Sequence, residues 1–265
     1  MAGPSSGSPP VVDAAGPAAD TGATIAIRFP EPTGFQRTSY EATTFGSYLR
    51  QLPLKPPGTA VLLYNGDLKW NQRAHAAVVD MSVGTKDLQQ CADATMRLRA
   101  EYLFASGKQD DIAFNFTSGF RAEWKRWRAG ERIKVNGNKC SWTYGGEADA
   151  SHEQLLKFLT MVFTYAGTLS LDRELVNPPT SGPEIGDVFI QGGSPGHAVI
   201  VVDEVEDGSG RKAFLLAQSY MPAQVIHVLL NQKHPELGAW FIFDGDDKLY
   251  TPEWTFEWGD RKRWP

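Results

Sequence analysis

The chain has 265 residues and a formal net charge of −5, and 42% of its residues are hydrophobic while 22% are charged. These values are typical of a globular protein with one large domain or two small ones and a sizeable core. The acidic balance offers no attraction to phosphate groups or to an acidic membrane surface, so no nucleic-acid partner is expected.

The termini and cysteines place further limits on the class of protein. No stretch approaches the roughly 20 consecutive apolar residues of a transmembrane helix, so no membrane-spanning segment is expected. Residues 1–23 consist mostly of Ala, Gly, Pro and Ser and are predicted to be a disordered leader or tether, or simply a ragged terminus. They lack the basic and apolar regions of a signal peptide. Two cysteines, Cys91 and Cys140, are too few for a disulfide scaffold and are expected to be unpaired.

The first predicted elements are short. Alternating apolar residues predict a strand over 24–29, and a helix over 45–52 is expected to end at Pro53. A second strand over 60–64 leads into an Asn-Gly-Asp turn, and a third is predicted over 76–81.

A longer helix that contains Cys91 is predicted next. Asp87 is expected to cap it, with Gln90 three residues later as in a capping box, and Gly107 is expected to end it. Helical spacing predicts one buried face and one exposed face. The predicted buried face comprises Cys91, Ala94, Thr95, Leu98 and Tyr102, and the predicted exposed face comprises Asp93, Arg97 and Glu101.

The second half of the chain changes from helical to β character. Apolar spacing predicts helices over 120–129 and 152–165. After Pro178-Pro179, strands are predicted over 187–191, 197–205, 213–219, 225–230 and 240–243. Helices followed by an antiparallel sheet predict an α+β fold, with residues 24–265 forming a single domain.

Cys91 is a candidate nucleophile because it lies in the first turn of the predicted helix. A thiol attacks as the thiolate, and the free N–H groups and positive dipole end of a helix N-terminus favour that anion. The alternative interpretation is that Cys91 is simply a small buried apolar residue.

His197 is the candidate general base. It follows Pro195-Gly196 and opens an apolar strand, a position from which an imidazole can project into a cleft, and its usual pKa near 6.5 suits proton transfer. The alternative is a histidine hydrogen-bonded at the rim of a sheet. Gln218, at the end of the next predicted strand, is the nearest candidate to orient the imidazole, with Ser219 second. The alternative for Gln218 is an ordinary polar residue at a strand end.

Three segments resemble the NlpC/P60 and CHAP branch of papain-like hydrolases. They are Gln90-Cys91 opening a helix, Gly186-Asp187-Val188, and Gly196-His197-Ala198-Val199-Ile200-Val201. Members of that branch cut peptide or amide bonds, mostly in bacterial peptidoglycan. The resemblance implies a papain-like domain in which a helix carrying the cysteine packs against an antiparallel, barrel-like sheet. The 106 residues between Cys91 and His197 exceed the usual spacing, so residues 107–180 are expected to be a mainly helical insertion.

The same resemblance implies roles for individual residues. Cys91 would be the nucleophile, His197 the base and Gln218 the orienting group. Gln90, Ser219 and Tyr220 are the candidates for oxyanion or substrate binding, and backbone N–H groups at the helix start would also stabilise the oxyanion.

Residues 24–258 also resemble a bacterial family of unknown function, numbered 4846 among such domains. The resemblance rests on Leu63-Tyr64-Asn65-Gly66, Gln90-Cys91-Ala92-Asp93-Ala94, the segment from Gly186 to His197, and the segment from Leu216 to Gln224. That family brings no established activity, but its members often look exported or lipid-anchored. The expected function is a Cys-His amide hydrolase or acyl transferase of the bacterial envelope, acting on peptidoglycan peptides.

The alternative function is an inactive envelope module that binds a peptide or glycan in the same cleft. Neither interpretation calls for a cofactor or metal. Both imply an extracytoplasmic location, with a membrane tether through an N-terminal anchor that this sequence does not contain.

Overall fold

The computed structural model describes residues 24–179, 182–243 and 248–265. Within them it has the α-helices α1 Ile25–Arg28, α2 Phe45–Arg50, α3 Cys91–Ala105, α4 Trp124–Arg128, α5 His152–Tyr165 and α6 Thr168–Glu174. The strands are β1 Phe35–Arg37, β2 His75–Val78, β3 Ala113–Asn115, β4 Arg121–Glu123, β5 Glu131–Asn136, β6 Lys139–Tyr144, β7 Val188–Gln191, β8 His197–Asp207, β9 Lys212–Gln218, β10 His227–Leu229, β11 Phe241–Ile242, β12 Lys248–Tyr250, β13 Thr255–Glu257 and β14 Arg261–Lys262. The predicted leader, residues 1–23, lies outside the described residues.

One large sheet dominates the described part of the chain. Its hydrogen-bonded order is β14-β7-β8-β9-β10-β2, with β1 also paired to β8 and β11 also paired to β9. All of these pairs are antiparallel. The fold is therefore mixed α+β with antiparallel sheets, as expected. The predicted barrel-like form is wrong for the described residues, because the path ends at β14 and β2, which do not pair.

Strand β8 lies between two apolar layers. Successive side chains of a strand point to opposite faces. Ala198, Ile200 and Val202 belong to the main core cluster together with residues of α3, such as Ala94 and Leu98. Val199 and Val201 belong to a second cluster with Phe189, Phe214 and Phe256. Since both faces are covered, the strand has the near-continuous apolar sequence that made it predictable.

Helix α3 is buried on almost every side, which corrects the two predicted faces. Asp93 and Arg97, both expected to be exposed, are 5% and 8% exposed. Arg97 makes an ion pair with Glu101 at 2.7 Å and donates to Gln89 Oε1 at 3.0 Å. The helix cap also differs, since Gln90 is the N-cap and its N–H donates to Asp93 Oδ2 at 3.1 Å. The predicted Asp87 cap is wrong.

Among the other predicted helices and strands, one has the observed bounds and three differ from the structure. The helix over 152–165 was predicted with the observed bounds. The strand predicted over 24–29 is wrong, because Ile25–Arg28 forms a helical turn packed in the core. Residues 60–64 form only isolated bridges, at Leu62 and Leu63. The helix expected over 120–129 begins only at Trp124, after strand β4.

The segment 107–180 contains two hairpins besides its helices. Strands β3 and β4 pair with each other, as do β5 and β6, and neither hairpin was predicted. Its apolar residues Phe114, Trp124, Phe158 and Leu171 join the main core cluster, so the segment shares a core with the rest of the fold. Among the described helices, none is long and apolar enough to cross a membrane.

Candidate functional site

A cleft of about 870 Å³ opens where α3 and β8 both begin, and it is called the Cys91 cleft here. Cys91 is the first residue of α3 and His197 is the first residue of β8, and both line the cleft. The other walls are Phe163 and residues 166–169 on one side, the loop before His197, and Tyr220, Met221 and Trp254. The structure thus brings the two predicted catalytic residues to one cavity, although 106 positions separate them in the chain.

The loop that delivers His197 depends on Gly196. A Cβ atom at residue 196 would lie 2.7 Å from the carbonyl oxygens of Gln191 and Gly193 and 2.5 Å from Thr168 Oγ1. Backbone carbonyls cannot move aside as a flexible side chain would, so only glycine fits there. The Gly-His pair in the sequence therefore has a physical cause, which is the tight turn from β7 into β8.

Cys91 is a weaker acid than its helical position predicts. Burial is the largest influence and raises the pKa of the thiol to about 11, and the negative charge of Asp93 raises it further. The backbone N–H groups of Ala92 and Ala198 lower it, but they do not outweigh burial. The expected activation by the helix N-terminus is present and is overcome by desolvation, because Cys91 is only 8% exposed. Cys91 and Cys140 are both free thiols.

His197 is held by Gln218, as predicted. The Nε2–H group of the imidazole donates to Gln218 Oε1 at 2.8 Å, across the neighbouring strands β8 and β9. Burial lowers the pKa of His197 to about 4, against the opposing effect of this hydrogen bond. The imidazole is therefore neutral near pH 7, and because Nε2 carries the proton, Nδ1 is the basic atom.

Gln218 is itself fixed by a carboxylate that sequence reasoning missed. Its Nε2 atom donates to Glu253 Oε2 at 2.8 Å, and Lys69 Nζ lies 2.8 Å from both oxygens of Glu253. A second buried imidazole, that of His227, accepts from Gln218 Nε2 at 3.4 Å while its Nδ1–H donates to the carbonyl of Val225 at 2.9 Å. These contacts determine the orientation of the amide, since both of its donors face acceptors.

This chain of contacts, Lys69–Glu253–Gln218–His197, is called the His197 relay below. It links the imidazole, through the predicted orienting residue Gln218, to the carboxylate of Glu253. Glu253 was missed because it lies 35 residues after Gln218, outside every segment that carried a motif.

Aromatic rings surround the imidazole. The centroids of the rings of Tyr220, Trp254 and Phe256 lie 4.7, 5.3 and 5.9 Å from that of His197. Tyr220 also lies under Lys69, whose Nζ is 5.1 Å from the ring centroid. Burial, followed by the charges of Glu253 and Cys91, raises the pKa of Tyr220. Tyr220, predicted as a substrate-binding residue, therefore lines the cleft as a neutral phenol.

The roles expected for Cys91 and His197 call for a hydrogen bond between Sγ and the imidazole. That bond is not formed in the described structure, and strand parity explains why. His197 shares the face of β8 that carries Val199 and Val201, whereas α3 packs on the face of Ala198 and Ile200. The thiol instead meets the backbone N–H of Ala198. The two side chains thus approach the cleft from opposite faces of one strand end.

The remaining predicted residues divide into two kinds. Gln90 lines the cleft, but its Nε2 atom already donates to Asp87 Oδ1 at 3.1 Å. Ser219 is fully buried, and its hydroxyl lies 2.8 Å from the carbonyl oxygens of Gln89 and Gln224. Ser219 therefore ties the end of β9 to the segment before α3, and it is not among the residues that line the cleft.

The site therefore combines a thiol at the start of a helix with an oriented imidazole at the start of a strand. The fold that holds them is α+β with an antiparallel sheet. Within the described ranges, no group of three or more His, Cys, Asp or Glu side chains is placed to hold a metal ion.

The chain belongs to the family described as domain of unknown function 4846, which matches residues 25–263. No curated protein matches it, and no solved structure does either.

Proposed function

We propose that the protein is a cysteine-dependent amide hydrolase or acyl transferase in which Cys91 is the nucleophile and His197 the base. The observation that carries the proposal is the His197 relay beside a cleft that also contains a thiol. A buried imidazole with one fixed tautomer and its basic Nδ1 atom free of the relay is the arrangement that proton transfer to and from a nucleophile requires.

The proposed reaction begins from neutral partners. With the pKa of the thiol near 11 and that of the imidazole near 4, no thiolate–imidazolium pair exists at rest. The thiol proton therefore passes to His197 Nδ1 as the Sγ–C bond forms. The carbonyl oxygen becomes an oxyanion, and in this proposal the N–H groups of Cys91 and Ala92, which have no partner within the helix, donate to it.

The second half of the reaction releases the amine. The imidazolium formed at His197 donates its Nδ1 proton to the leaving nitrogen as the C–N bond breaks, leaving a thioester on Cys91. Water or an acceptor amine then attacks the thioester as His197 Nδ1 takes its proton. The C–S bond breaks, the acyl product leaves, and that proton returns to Cys91 Sγ. This sequence requires the His197 ring, which the relay holds on the opposite face of β8, to turn toward Sγ when substrate fills the cleft.

The proposal includes a papain-like arrangement, peptide or peptidoglycan substrates and an extracytoplasmic location in bacteria. The order of a cysteine helix followed by antiparallel strands, with the histidine opening one of them, supports the arrangement. The substrate class and location rest on the sequence resemblances alone. Cell fractionation of a bacterium carrying the full natural gene would test the location, and recovery in the cytoplasmic fraction would contradict it.

The decisive experiment is incubation with purified peptidoglycan and with its isolated stem peptides, followed by mass spectrometry of the soluble products. New peptide fragments are expected from the wild type and not from Cys91→Ala or His197→Ala. Cys140→Ala is the matched control, because it removes the other free thiol and should retain activity. Fragments released by Cys91→Ala would overturn the proposal.

A second candidate function is a binding module that uses the same cleft without catalysis. The observation that favours it is the high pKa of Cys91 together with the missing bond to the imidazole. A binding module would sediment with peptidoglycan, release no fragments, and bind equally well as Cys91→Ala. If the wild-type protein neither sediments with peptidoglycan nor releases fragments from it, both candidate functions are contradicted for this substrate.

A further inference from the structure

A second cavity lies at the far end of strand β8 from His197. It is called the distal cavity here, has a volume of about 600 Å³, and is lined in part by Phe35 of β1 and Ile242 of β11. Phe35 pairs with Asp207, the last residue of β8, and Ile242 pairs with Ala213 near the start of β9. Strand β8 has 11 residues, so roughly 30 Å separates its two ends, and the distal cavity is distinct from the Cys91 cleft.

The floor of the distal cavity is apolar. Trp240 and Phe35 are buried in it, and Leu237 and Ile242 are half-buried. The Trp240 indole is fixed, because its Nε1–H group donates to the carbonyl of Pro30 at 3.0 Å. Small-molecule sites commonly have volumes of about 300–1,000 Å³, apolar linings and a few polar groups. A cavity of this size and lining therefore suits a small organic ligand.

Two accessible glutamates line the distal cavity. The side chains of Glu31 and Glu236 are 41% and 66% exposed, so a ligand can reach both of them. Glu31 Oε1 accepts from the backbone N–H of Arg37 at 3.1 Å, and Glu236 Oε1 lies 3.2 Å from His234 Nδ1. The Arg37 guanidinium is bound mainly elsewhere, because it lies 2.8 Å from Asp203 and 3.7 Å from Glu31. The Oε2 atom of each glutamate has no hydrogen-bond partner among the described residues.

Negative charge exceeds positive charge around this floor. Besides the two carboxylates, the described lining residues include the basic side chains of Arg211 and His234. Arg211 is already compensated, since its Nε atom lies 3.1 Å from Asp207 Oδ2. His234, even when protonated, balances only Glu236, its neighbour in the ion pair. The surplus of negative charge favours a cationic ligand, and the apolar floor favours one with an apolar body.

We propose that the distal cavity binds a small organic cation, an ammonium or guanidinium group carried on an apolar body. The apolar body packs against the floor formed by Phe35, Leu237, Trp240 and Ile242. The positive group pairs with the carboxylates of Glu31 and Glu236. This site is separate from the proposed hydrolase and does not depend on Cys91 or His197.

The lining favours an organic cation over a metal ion. Ca²⁺ takes six to eight oxygen ligands, far more than two carboxylates on an apolar floor supply. No cluster of three or more metal-binding side chains occurs in the part of the chain that the structure describes. An organic cation gains instead from apolar burial and from the carboxylates together.

The test follows the Trp240 indole N–H signal in ¹H–¹⁵N spectra during titrations in low-salt buffer. The probes 2-phenylethylamine, 2-phenylethanol, 3-phenylpropanoate and ethylamine separate the charge from the apolar body. The phenyl amine should bind about fivefold tighter than the alcohol, because partly exposed ion pairs are weak and two of them contribute. It should bind at least about tenfold tighter than ethylamine, which lacks the ring. Equal or tighter binding of the alcohol or the carboxylate, or no shift of the Trp240 signal with the phenyl amine, would overturn the proposal.

Variants assign this preference to the two carboxylates. Glu31→Gln and Glu236→Gln should each reduce the preference for the amine over the alcohol to about twofold, and the double variant should abolish it. Binding of the alcohol should stay unchanged in all three, which shows that the cavity is intact. Glu153→Gln, at an exposed position of α5 outside the cavity, is the matched control and should keep the full preference. An undiminished preference in the double variant would overturn the site.

A last comparison separates a small molecule from a basic peptide as the ligand. The blocked dipeptide N-acetyl-L-phenylalanyl-L-lysinamide carries a phenyl ring and an ammonium group on a peptide backbone. It should bind more weakly than 2-phenylethylamine, because the distal cavity would have to admit the backbone as well. Tighter binding of the dipeptide would overturn the assignment to a small molecule.

Discussion

Gln218 joins His197 to Glu253 through a single side-chain amide. Its Oε1 atom accepts the Nε2 proton of the imidazole at 2.8 Å, and its Nε2 atom donates to the carboxylate at 2.8 Å. The amide cannot turn over without placing its N–H₂ group against an N–H and its oxygen against a carboxylate. The tautomer of His197 is therefore determined by a carboxylate that it does not touch.

Replacing Gln218 with Ala is expected to lower turnover by about 10²-fold while leaving the fold intact. Loss of the orienting aspartate costs a serine protease about 10⁴-fold, and a neutral amide holds imidazole less strongly than a carboxylate does. Peptide release measures the loss, and ¹⁵N signals of the His197 ring report the tautomer. Gln36→Ala, at an exposed strand position, is the control. A single Nε2–H tautomer in Gln218→Ala would remove Gln218 from the orienting role.

The Lys69–Glu253 pair is expected to matter for stability mainly when one partner is removed. The side chains of Lys69 and Glu253 are 5% and 13% exposed, so either charge alone would be poorly solvated. Glu253→Gln and Lys69→Met should each lower the free energy of unfolding by about 3–5 kcal/mol. The double variant should lose less unfolding free energy than the sum of the two single losses, because no lone charge remains. Additive losses in urea unfolding would show that the two side chains act independently.

The alkylation rate of Cys91 should rise with pH to a midpoint near 11, well above that of a free thiol. Burial disfavours the thiolate, and so does the negative charge of Asp93, so removing that charge must lower the midpoint. Asp93→Asn should therefore alkylate faster than the wild type at pH 9 to 10. Iodoacetamide kinetics with peptide mass spectrometry gives both profiles in the Cys140→Ser background. A midpoint at pH 8 or below in the wild type would contradict the burial argument.

The buried imidazole of His227 should make the protein less stable in mild acid. Burial lowers its pKa to about 3 in the folded state, against about 6.5 when unfolded. The unfolded chain then binds more protons below pH 6.5, so stability is full above that pH and falls as the pH drops toward 3. Between pH 7 and 4.5 this histidine alone should remove about 3 kcal/mol.

The comparison variant for that prediction is His227→Asn. Its side-chain N–H₂ group can still donate to the Val225 carbonyl, as His227 Nδ1 does at 2.9 Å, and it does not titrate. Unfolding free energies in urea at pH 7 and pH 4.5 should differ less for this variant than for the wild type. Equal differences would indicate that other groups dominate the acid response.

Local sequence patterns determined the elements that frame the site. The apolar spacing of α5 predicted that helix, and the unbroken apolar sequence of β8 predicted that strand. Each pattern lies within a single element, so neighbouring residues in the sequence are enough to reveal it. Adjacent strands in the chain commonly pair, so the contact of His197 with Gln218 followed from two neighbouring predicted strands. The same local reasoning placed Cys91 in the first turn of α3, although it put the start of the helix three residues too early.

Only the tertiary structure decided the electrostatics of the site. Lys69 meets Glu253 across 184 residues and Asp93 is only 5% exposed, and no local pattern carries either fact. Helical periodicity placed Asp93 on a solvent-exposed face because it lies on the same side of the helix as the charged residues Arg97 and Glu101. In the structure, however, α3 is enclosed on nearly all sides. Desolvation depends on that enclosure, and it reverses the pKa shift that the helix N-terminus alone would give to Cys91. Sequence determined which chemical groups approach the cleft, and packing determined their protonation states, because burial is a property of the whole fold.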